Sequence, residues 1–277
     1  YFKIKEENKD SILFFRLGDF YEMFYDDAKL ASKELKLTLT GRDCGQAERA
    51  PMCGVPFHSC EGYIARLVAK GYKVAICEQT EDPAKAKGLV KREVIRIVTP
   101  GTNTDMQALD ESKNNYIMCI IYLADKYGIS LADISTGDYF VTEVDTERKL
   151  IDEINKFAPS EIICNESFYM SGVDLSDMKN RLGIAVYSLE AWYFSDETAE
   201  NTLKEHFKVQ SLEGLGLSDY ACGTIAAGAL LRYLYETQKN DLGNLSAIHP
   251  YSTGKYMIID SSTRRNLELV ETLREKQ

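Results

Sequence analysis

The chain has 277 residues, 44% of them hydrophobic and 27% charged, which indicates a globular protein of about two domains. It has no run of 18 apolar residues and no apolar N-terminal segment, so we expect neither a membrane-spanning helix nor a secretory signal. The seven cysteines include no C-x-x-C pair, which favours reduced thiols in the cytoplasm over a disulfide framework. The sequence does not start with Met and ends in a helix-like run, so we expect it to belong to a longer protein.

The net charge of −10 is unevenly distributed along the chain. Residues 1–104 hold 17 basic and 15 acidic side chains, whereas residues 105–277 hold 16 basic and 28 acidic ones, so the two parts carry +2 and −12. Residues 85–96 form a basic strip with one acidic side chain, Glu93, and five basic ones: Lys85, Lys87, Lys91, Arg92 and Arg96. Such a strip on an acidic protein is typical of a face that meets nucleic-acid phosphates, and a solvated loop is the alternative interpretation.

Strands and helices alternate over the first hundred residues, which predicts a small α/β domain over residues 1–104. Asp26 and Asp27 are expected to cap the first helix and to begin its first turn. Residues 41–59 contain Gly, Pro and Cys and are predicted to form a loop. The predicted elements are, in chain order, a strand at 11–17, a helix at 28–35, a strand at 37–40, a helix near 63–68, and strands at 72–77 and 90–98.

A polar segment at 103–114 indicates a linker, and the residues after it predict a second α/β domain over residues 113–240. Its first three strands are separated by short turns, which indicates an antiparallel meander, and the later elements complete an order typical of a ribonuclease-H-like sheet. The residues from 250 to 277 predict a short strand and the start of a helical third domain. The predicted strands are 116–123, 128–135, 139–144, 161–164, 184–187 and 255–260, and the predicted helices are 147–157, 198–207, 219–238 and a helix from 261.

The densest chemical signal is the run LGDFYEMF, which ends the first predicted strand and continues past it. If the segment is extended, side chains alternate between faces, and one side carries Phe14, Arg16, Phe20, Glu22 and Phe24. An aromatic ring beside a carboxylate suits a pair that probes duplex DNA. The ring can wedge between base steps, and the carboxylate is repelled by phosphates unless a base edge satisfies it. The alternative is that Phe20 is a core aromatic and Glu22 a surface acid.

Metal chemistry has weaker support in the sequence. Cys53, His58 and Cys60 are three possible zinc ligands within eight residues, but no fourth ligand lies nearby and the spacing fits no zinc pattern, so we expect no metal site. A metal-dependent nuclease would need several carboxylates that converge on ions about 4 Å apart. The candidates for that role are one strand-borne acid and three scattered ones, namely Asp133, Asp138, Asp152 and Glu153.

Three motifs in the first hundred residues closely resemble the N-terminal domain of the MutS family of bacterial mismatch repair proteins: DSILFFRLGDFYEMFYDDA, APMCGVPFHS and GYKVAICEQTEDPAKAKGLVKREVIRIVTPGT. Two later segments, DISTGDY and IIDSSTRRNLEL, resemble the family's connector domain and the opening of its core domain. The resemblance implies an α/β chain. It would comprise a small mixed-sheet mismatch-recognition domain, a ribonuclease-H-like connector domain and the start of a helical core domain.

The resemblance also implies the roles of two residues in the first motif. In the family, the Phe of a Phe-x-Glu pair inserts at the mispair and the Glu hydrogen-bonds the base, which assigns these roles to Phe20 and Glu22. Whether the Glu22 carboxyl accepts a hydrogen bond or, when protonated, donates one stays open.

The basic strip corresponds to a segment of the family that contacts the DNA backbone. Arg92 is the first candidate for such a contact, followed by Lys91, Arg96 and Lys87. Strand alternation predicts that Arg92 and Arg96 point one way and Lys91 the other.

The second motif, APMCGVPFHS, falls in a loop that lies near the DNA in the family. This places Met52 and His58 close to the DNA, and a structural histidine with satisfied hydrogen bonds is the alternative for His58.

The resemblance further implies that the chain binds mispaired bases and small insertion or deletion loops in double-stranded DNA, as the first step of mismatch repair in the bacterial cytoplasm. It implies MutL as a partner of the connector domain. The longer protein would be a homodimer, and this part of it a monomer. Two alternatives remain: a relative that serves recombination or DNA junctions, which would lack the Phe-x-Glu pair, and a pure protein-interaction module, which the charge of −12 would allow.

The family carries an ATPase, which uses ATP and magnesium, far toward its C-terminus. The nearest match to a phosphate-binding loop is the run STGK at 252–255, but His249 stands where a Gly is needed and Tyr256 stands where Ser or Thr is needed. We therefore expect neither a cofactor nor enzymatic activity in this chain.

Overall fold

The computed structural model describes residues 1–45, 48–81, 88–103 and 114–253. Their contacts divide the chain into two compact units, one formed by Tyr1–Asn114 with Leu234–Leu242 and the other by Asn115–Tyr233 with the residues from Gly243 onward. Each unit is built on a six-stranded mixed sheet, so the predicted α/β class is confirmed. The strand and helix predicted from residue 255 onward lie outside the described residues, and the predicted domain limits stay predictions.

The first unit is built, in chain order, from α1 (Phe2–Glu7), β1 (Ser11–Leu17), β2 (Phe20–Phe24), α2 (Tyr25–Leu35), β3 (Thr40–Arg42), β4 (Ala50–Pro56), a 3-10 turn at Phe57–Ser59, α3 (Cys60–Val68), β5 (Lys73–Gln79) and β6 (Arg92–Val98). The strand order in its sheet is β3-β4-β2-β1-β5-β6. Strands β1 and β5 are parallel, and the other neighbours are antiparallel. The predicted strands at β1, β5 and β6 and the helices α2 and α3 are thus confirmed.

The two faces of this sheet are covered to different extents. One face packs against α2 and α3 through a large apolar cluster that includes Phe14, Met23 and Leu67. The other face carries a smaller cluster around Leu13, which also includes Ile4 of α1. We call the first of these the covered face and the second the open face.

Two predictions in this unit are wrong. The strand predicted at 37–40 begins only at Thr40, and the predicted loop at 41–59 contains the whole of β4. Strand β4 has two prolines and a glycine, which favour a loop locally, but it lies between β3 and β2 and pairs with both. Buried Cys53 and Val55 alternate along it, so the pairing is stabilised by tertiary packing that local composition does not reveal.

The start of α2 also differs from the prediction. The helix begins at Tyr25, its N-cap residue is Phe24, and no side chain caps it. Asp27 lies in the first turn, where its carboxylate accepts hydrogen bonds from the Leu13 backbone N–H at 3.0 Å and from the Lys5 ammonium at 2.9 Å. The acid therefore fastens α1 and β1 to the helix instead of capping it.

The second unit is built, in chain order, from β7 (Ile117–Leu123), β8 (Lys126–Asp133), β9 (Asp138–Val144), α4 (Glu147–Phe157), β10 (Glu161–Cys164), α5 (Glu166–Tyr169), α6 (Leu175–Leu182), β11 (Ala185–Ser188), a 3-10 turn at Ala191–Phe194, α7 (Asp196–Phe207), a 3-10 turn at Glu213–Leu215, α8 (Ala221–Gln238) and β12 (His249–Pro250). The last residues of α8, from Leu234, are assigned to the first unit. Strands β7, β8 and β9 form the predicted antiparallel meander, and β10 and β11 extend the sheet in parallel. On its other side the sheet ends in β12, which runs parallel to β9.

The helices α5 and α6 were not predicted, because each is too short to show a helical period in its apolar residues. Their capping residues are nevertheless present in the sequence. The side chain of Asn165 accepts a hydrogen bond from Phe168 N at the start of α5, and Asp174 accepts one from Asp177 N at the start of α6. Across the described ranges, none of the helices combines the length and apolar character needed to cross a membrane.

Candidate nucleic-acid interface

The run LGDFYEMF forms a hairpin and not one extended segment. Leu17 pairs with Phe20 across the two-residue turn Gly18–Asp19. Gly18 has a φ of +58°, the left-handed conformation that glycine adopts readily at the first central position of a tight hairpin turn. Facing residues of an antiparallel pair share a side, so Phe20 lies with Leu17, and Glu22 lies with Phe15.

This turn corrects the predicted grouping of side chains. Phe20, Glu22 and Phe24 do share a face, but Phe14 and Arg16 lie on the opposite one, because even-numbered positions of β2 face odd-numbered positions of β1. The clusters agree: Phe14 belongs to the covered face and Phe24 to the open face.

Phe20 stands at the exposed end of the open face. The residue is 46% exposed, whereas the next residue, Tyr21, is 5% exposed and Met23 is fully buried. Phe20 is therefore not the core aromatic of the alternative interpretation. A ring of this size that is half open to solvent is available for contact with another molecule.

Glu22 lies two positions beyond Phe20 on the same face, opposite Gly54 of β4. A Cβ at Gly54 would stand 3.5 Å from the Glu22 Cγ and 3.3 Å from the Tyr21 carbonyl oxygen, so the missing side chain leaves room for the glutamate. The Glu22 side chain is 15% exposed, and its Oε2 accepts a hydrogen bond from Nη1 of Arg42. Sequence reasoning missed Arg42, because it lies 20 residues from Glu22 and no local pattern links the two.

The turn before Phe20 is held by the protein at both of its carbonyl groups. Arg16 Nε donates a hydrogen bond to the Gly18 oxygen at 2.5 Å, and the Phe57 backbone N–H donates one to the Asp19 oxygen at 3.0 Å. The Arg16 guanidinium also lies 3.6 Å from the centre of the Phe57 ring, a cation–π contact. These contacts fix the direction in which β2 starts and hence the position of Phe20.

Arg92, the first candidate for a backbone contact, lies on the open face but is partly engaged within the protein. Its Nε donates to the Arg16 carbonyl oxygen at 2.8 Å, its Nη1 donates to the Val90 oxygen at 2.9 Å, and its guanidinium lies 5.1 Å from the Phe15 ring centre. Within the described residues, Nη2 has no hydrogen-bond partner. Arg92 therefore stabilises the end of β1 and presents one remaining nitrogen to the surroundings.

Arg96 does not lie on the same side as Arg92, which corrects the prediction of strand alternation. The register of β5 with β6 shifts at Ile76 and Cys77, so that Arg96 faces Ile76 on the covered face while Arg92 stays on the open face. A bulge of this kind adds one residue to a strand and reverses the side on which later residues point. Arg96 Nη2 donates to the Thr102 oxygen at 2.8 Å, and burial lowers the pKa of its guanidinium.

Lys91 is exposed, but its ammonium forms an ion pair with Glu93 at 2.6 Å. The hydrogen bond from Lys91 to this carboxylate raises the pKa of Lys91. Its positive charge is thus shared with an adjacent acid. Lys87 lies outside the described residues.

The two residues of the second motif lie at different distances from solvent. Met52 is partly buried against the cluster of the open face and pairs with Phe24 across the sheet. His58 is exposed and touches the Phe57 ring edge-on, with 5.8 Å between ring centres. The interpretation of His58 as a structural histidine with satisfied hydrogen bonds does not fit this exposed position.

The possible metal ligands do not come together. Cys53 is buried in the cluster of the covered face, where burial raises its pKa to about 11, whereas His58 is exposed. In the second unit, Asp133 is 1% exposed and accepts hydrogen bonds from Ser135 N at 2.8 Å and from Asn115 N at 3.0 Å. Throughout the residues that the structure describes, no three His, Cys, Asp or Glu side chains are grouped so that they could hold a metal ion.

Comparison with known proteins gives two family matches, which together cover most of the chain. Residues 1–107 match MutS domain I, and residues 115–246 match MutS domain II.

Relatives from several bacteria share the whole length of this chain. It is 64% identical over 277 residues to the DNA mismatch repair protein MutS of Lachnoclostridium phytofermentans, covering 100% of this chain and 30% of that protein. It is 53% identical over 279 residues to the proteins of the same name from Ruminiclostridium cellulolyticum and Acetivibrio thermocellus, covering 100% of this chain and 32% of each. The chain therefore spans about a third of the length of these relatives.

Proposed function

Because the chain belongs to the MutS family and carries its domains I and II, we propose that its first unit recognises mispaired bases and small insertion or deletion loops in duplex DNA, as the first step of mismatch repair. The observation that carries this proposal is the half-exposed Phe20 beside the Glu22 carboxylate on the open face. The names of the relatives, each a DNA mismatch repair protein, support the same assignment.

Phe20 acts as a wedge. Insertion of an aromatic ring between base steps from the minor groove costs a few kcal/mol of lost base stacking. That cost is lowest where pairing is already defective, because the step there unstacks and bends more easily. The ring must also keep its orientation while it is inserted between the bases. The hydrogen bonds to the carbonyl groups of Gly18 and Asp19 hold the turn before it rigid.

Glu22 is the second residue that distinguishes mispaired from matched duplex. A carboxylate close to DNA is repelled by the phosphates and loses water on burial, so on matched duplex it weakens binding. At a mispair, a displaced base offers a hydrogen-bonding edge, and the carboxyl group of Glu22 bonds to it. The pair Phe20 and Glu22 therefore selects against ordinary duplex as well as for the mispair.

Backbone contacts set the position of the protein without reading sequence. Arg92 contributes its remaining Nη2 to a phosphate, and Lys91 contributes a charge that Glu93 reduces. Lys87 is a further candidate for such a contact. Met52 and His58 lie in the neighbourhood of the DNA and not in its base-reading contact. Arg96 is not part of this surface, because it points to the covered face.

The second unit connects the mismatch-recognising first unit to the rest of a longer protein and binds MutL. The family match and the charge of −12 carried by residues 105–277 support this part of the proposal. The longer protein is a homodimer whose ATPase, with ATP and magnesium, lies in the part that this chain does not contain.

The test is binding of the full-length protein to a duplex with one G·T mispair and to its matched counterpart, at one fixed salt concentration. Phe20→Ala removes a stacking contact worth about 1–3 kcal/mol. It should therefore lower affinity for the G·T duplex by roughly 5- to 150-fold and leave the weak binding of matched duplex unchanged.

The matched control is Phe2→Ala, since Phe2 is also an exposed phenylalanine of the first unit, 65% exposed, but lies on α1. This control should keep the wild-type preference for the mispair. A Phe20→Ala protein that still prefers the G·T duplex would remove the central assignment.

A further inference from the structure

The carboxylate assigned to base reading already has a partner in the protein. Nη1 of Arg42 donates a hydrogen bond to Oε2 of Glu22, and the two side chains form an ion pair on the open face. The Arg42 side chain is 43% exposed and that of Glu22 only 15%. The cation is thus the more accessible partner, and the acid is the one that must change partners to reach a base.

The position of Arg42 makes it accessible to a second anion. It ends β3, which is the edge strand of the first sheet, and β4 lies between β3 and the Phe20–Glu22 strand. A guanidinium carries five N–H donors in a planar fork, and one carboxylate oxygen occupies few of them. Phosphate oxygens fit the same fork with charge-assisted hydrogen bonds, so a DNA phosphate is a direct competitor of Glu22 for Arg42.

We propose that Arg42 exchanges partners when the protein meets a mispair. On matched duplex Glu22 finds no base to bond, and Arg42 stays paired with it. At a mispair Glu22 turns to the displaced base, and the guanidinium of Arg42 passes to a backbone phosphate. Arg42 is then a specificity-determining residue, because it makes one phosphate contact only where a base has been read. This inference rests on the proposed function of Phe20 and Glu22.

The exchange leaves the charges balanced in both complexes. In the matched complex the Glu22 carboxylate stays paired with Arg42, which reduces but does not remove its repulsion of the phosphates, so matched duplex is still disfavoured. In the mispaired complex the carboxyl group is satisfied by the base and the guanidinium by a phosphate. Neither ion is left without a partner near the DNA, where an unpaired charge is costly.

The exchange has a signature in salt dependence. Each phosphate contact releases counterions and adds about −0.9 to the slope of the logarithm of the binding constant against the logarithm of salt concentration. The mispaired complex should therefore have a slope steeper by about 0.9 than the matched complex. A residue that only bound phosphate would steepen both slopes equally.

The experiment measures this slope for the full-length protein on a G·T duplex and on its matched counterpart, from about 50 to 200 mM KCl. In Arg42→Gln both slopes should be shallow and equal, because no exchange can occur. In Glu22→Gln both should be steep and equal, because Arg42 is released on either duplex. Lys29→Gln is the control, since Lys29 is an exposed cation on α2 that pairs with Asp26, and it should reproduce the wild-type difference.

The outcomes separate the two levels of the proposal. Wild-type protein that fails to prefer the G·T duplex at any salt concentration overturns the proposed function. Wild-type protein that prefers it, and loses that preference in Phe20→Ala, but shows equal slopes on the two duplexes, overturns the exchange alone. An Arg42→Gln protein that keeps the difference of about 0.9 between slopes also overturns the exchange. Glu22→Gln gives an independent result if Arg42→Gln folds poorly.

Discussion

The carboxylates on the two sheets of this chain differ in their burial and in their hydrogen-bond partners. In the second unit, the central strands β7 and β8 are buried along nearly their whole lengths, and the carboxylates of Asp133 and Glu161 are buried with hydrogen-bond donors around them. In the first unit, β2 begins with an exposed residue, and the open face carries a carboxylate held by one half-exposed arginine. Buried charges must have permanent partners, whereas charges at an open face can change partners.

This difference separates side chains with fixed structural partners from the side chains of the proposed DNA-reading site. Of the acids of the second unit that suggested a nuclease, Asp133 has a structural role, since it ties the turn after β8 to residue Asn115. Glu22, the acid of the first unit that the sequence analysis grouped with Phe20, is bonded to Arg42 on the open face, and in the proposed exchange DNA replaces this partner. The contrast predicts that buried groups of the second unit resist reagents and changes of partner, and that exposed groups of the first unit respond to them.

The largest expected effect concerns thiol reactivity. Cys44 of the first unit is exposed, whereas burial raises the pKa of Cys164 in the second unit to about 12. At pH 8 only about one Cys164 in ten thousand is then a thiolate, the reactive form. Iodoacetamide should label Cys44 about a thousandfold faster or more under native conditions, as mass spectrometry of the digested chain can measure.

The sign of the pH effect follows from the raised pKa. The thiolate fraction of Cys164 grows tenfold for each pH unit, yet at pH 9 it is still only about one in a thousand. In urea both cysteines should react at similar rates. Labelling of Cys164 within tenfold of Cys44 in the native protein would show that the second unit opens, which would break the contrast between the units.

The next largest effect concerns the stability of the second unit. Asp133→Ala leaves the buried N–H of Asn115 and the more exposed N–H of Ser135 without their carboxylate acceptor, which should lower the free energy of unfolding by about 2 kcal/mol. Trp192, the single tryptophan of the chain, lies in this unit, so urea unfolding followed by its fluorescence measures the loss.

Asp177→Ala is the matched control, because Asp177 is a partly exposed acid of the same unit that pairs with Arg181. Its unfolding midpoint should be that of the wild type. At temperatures where both units are folded, Asp133→Ala should keep the wild-type preference for mispaired DNA. A loss of stability below about 1 kcal/mol would mean that Asp133 is not the fixed structural acid described here.

The smallest effect concerns Arg92, which makes hydrogen bonds within the protein and has one guanidinium nitrogen left to bind a phosphate. Arg92→Lys keeps the positive charge but loses the hydrogen bonds to the carbonyl oxygens of Arg16 and Val90. It should lower the free energy of unfolding of the first unit by about 1 kcal/mol and weaken the preference for the G·T duplex roughly twofold to fivefold. The slope of affinity against salt should change little, because the charge remains.

Arg66→Lys makes the same chemical change elsewhere in the unit, since Arg66 donates to the Leu35 carbonyl oxygen. It should cost similar stability without changing the preference for the mispair. If the two variants weaken the preference equally, the effect of Arg92 is a general loss of stability and not a displacement of the turn that carries Phe20.

Much of the fold was accessible from the sequence, because the apolar period of each long element sets its type. The strands β1, β5 and β6 to β11 and the helices α2 to α4, α7 and α8 were predicted within a few residues. Strand β4 and the helices α5 and α6 were not, since the first depends on pairing with β2 and β3 and the other two are short. The exposure of Phe20 and its proximity to Glu22 agree with the pattern of the motif.

The sequence by itself determined the α/β class, the meander and the family, because periodicity and motif order are properties of neighbouring residues. The tertiary structure decided which side chains meet. A two-residue turn moved Phe14 and Arg16 away from Phe20, a bulge turned Arg96 away from Arg92, and the pairing of β3 with β4 brought Arg42 to Glu22. A shift of one residue in a strand exchanges its two faces, and that register is set by contacts between distant parts of the chain.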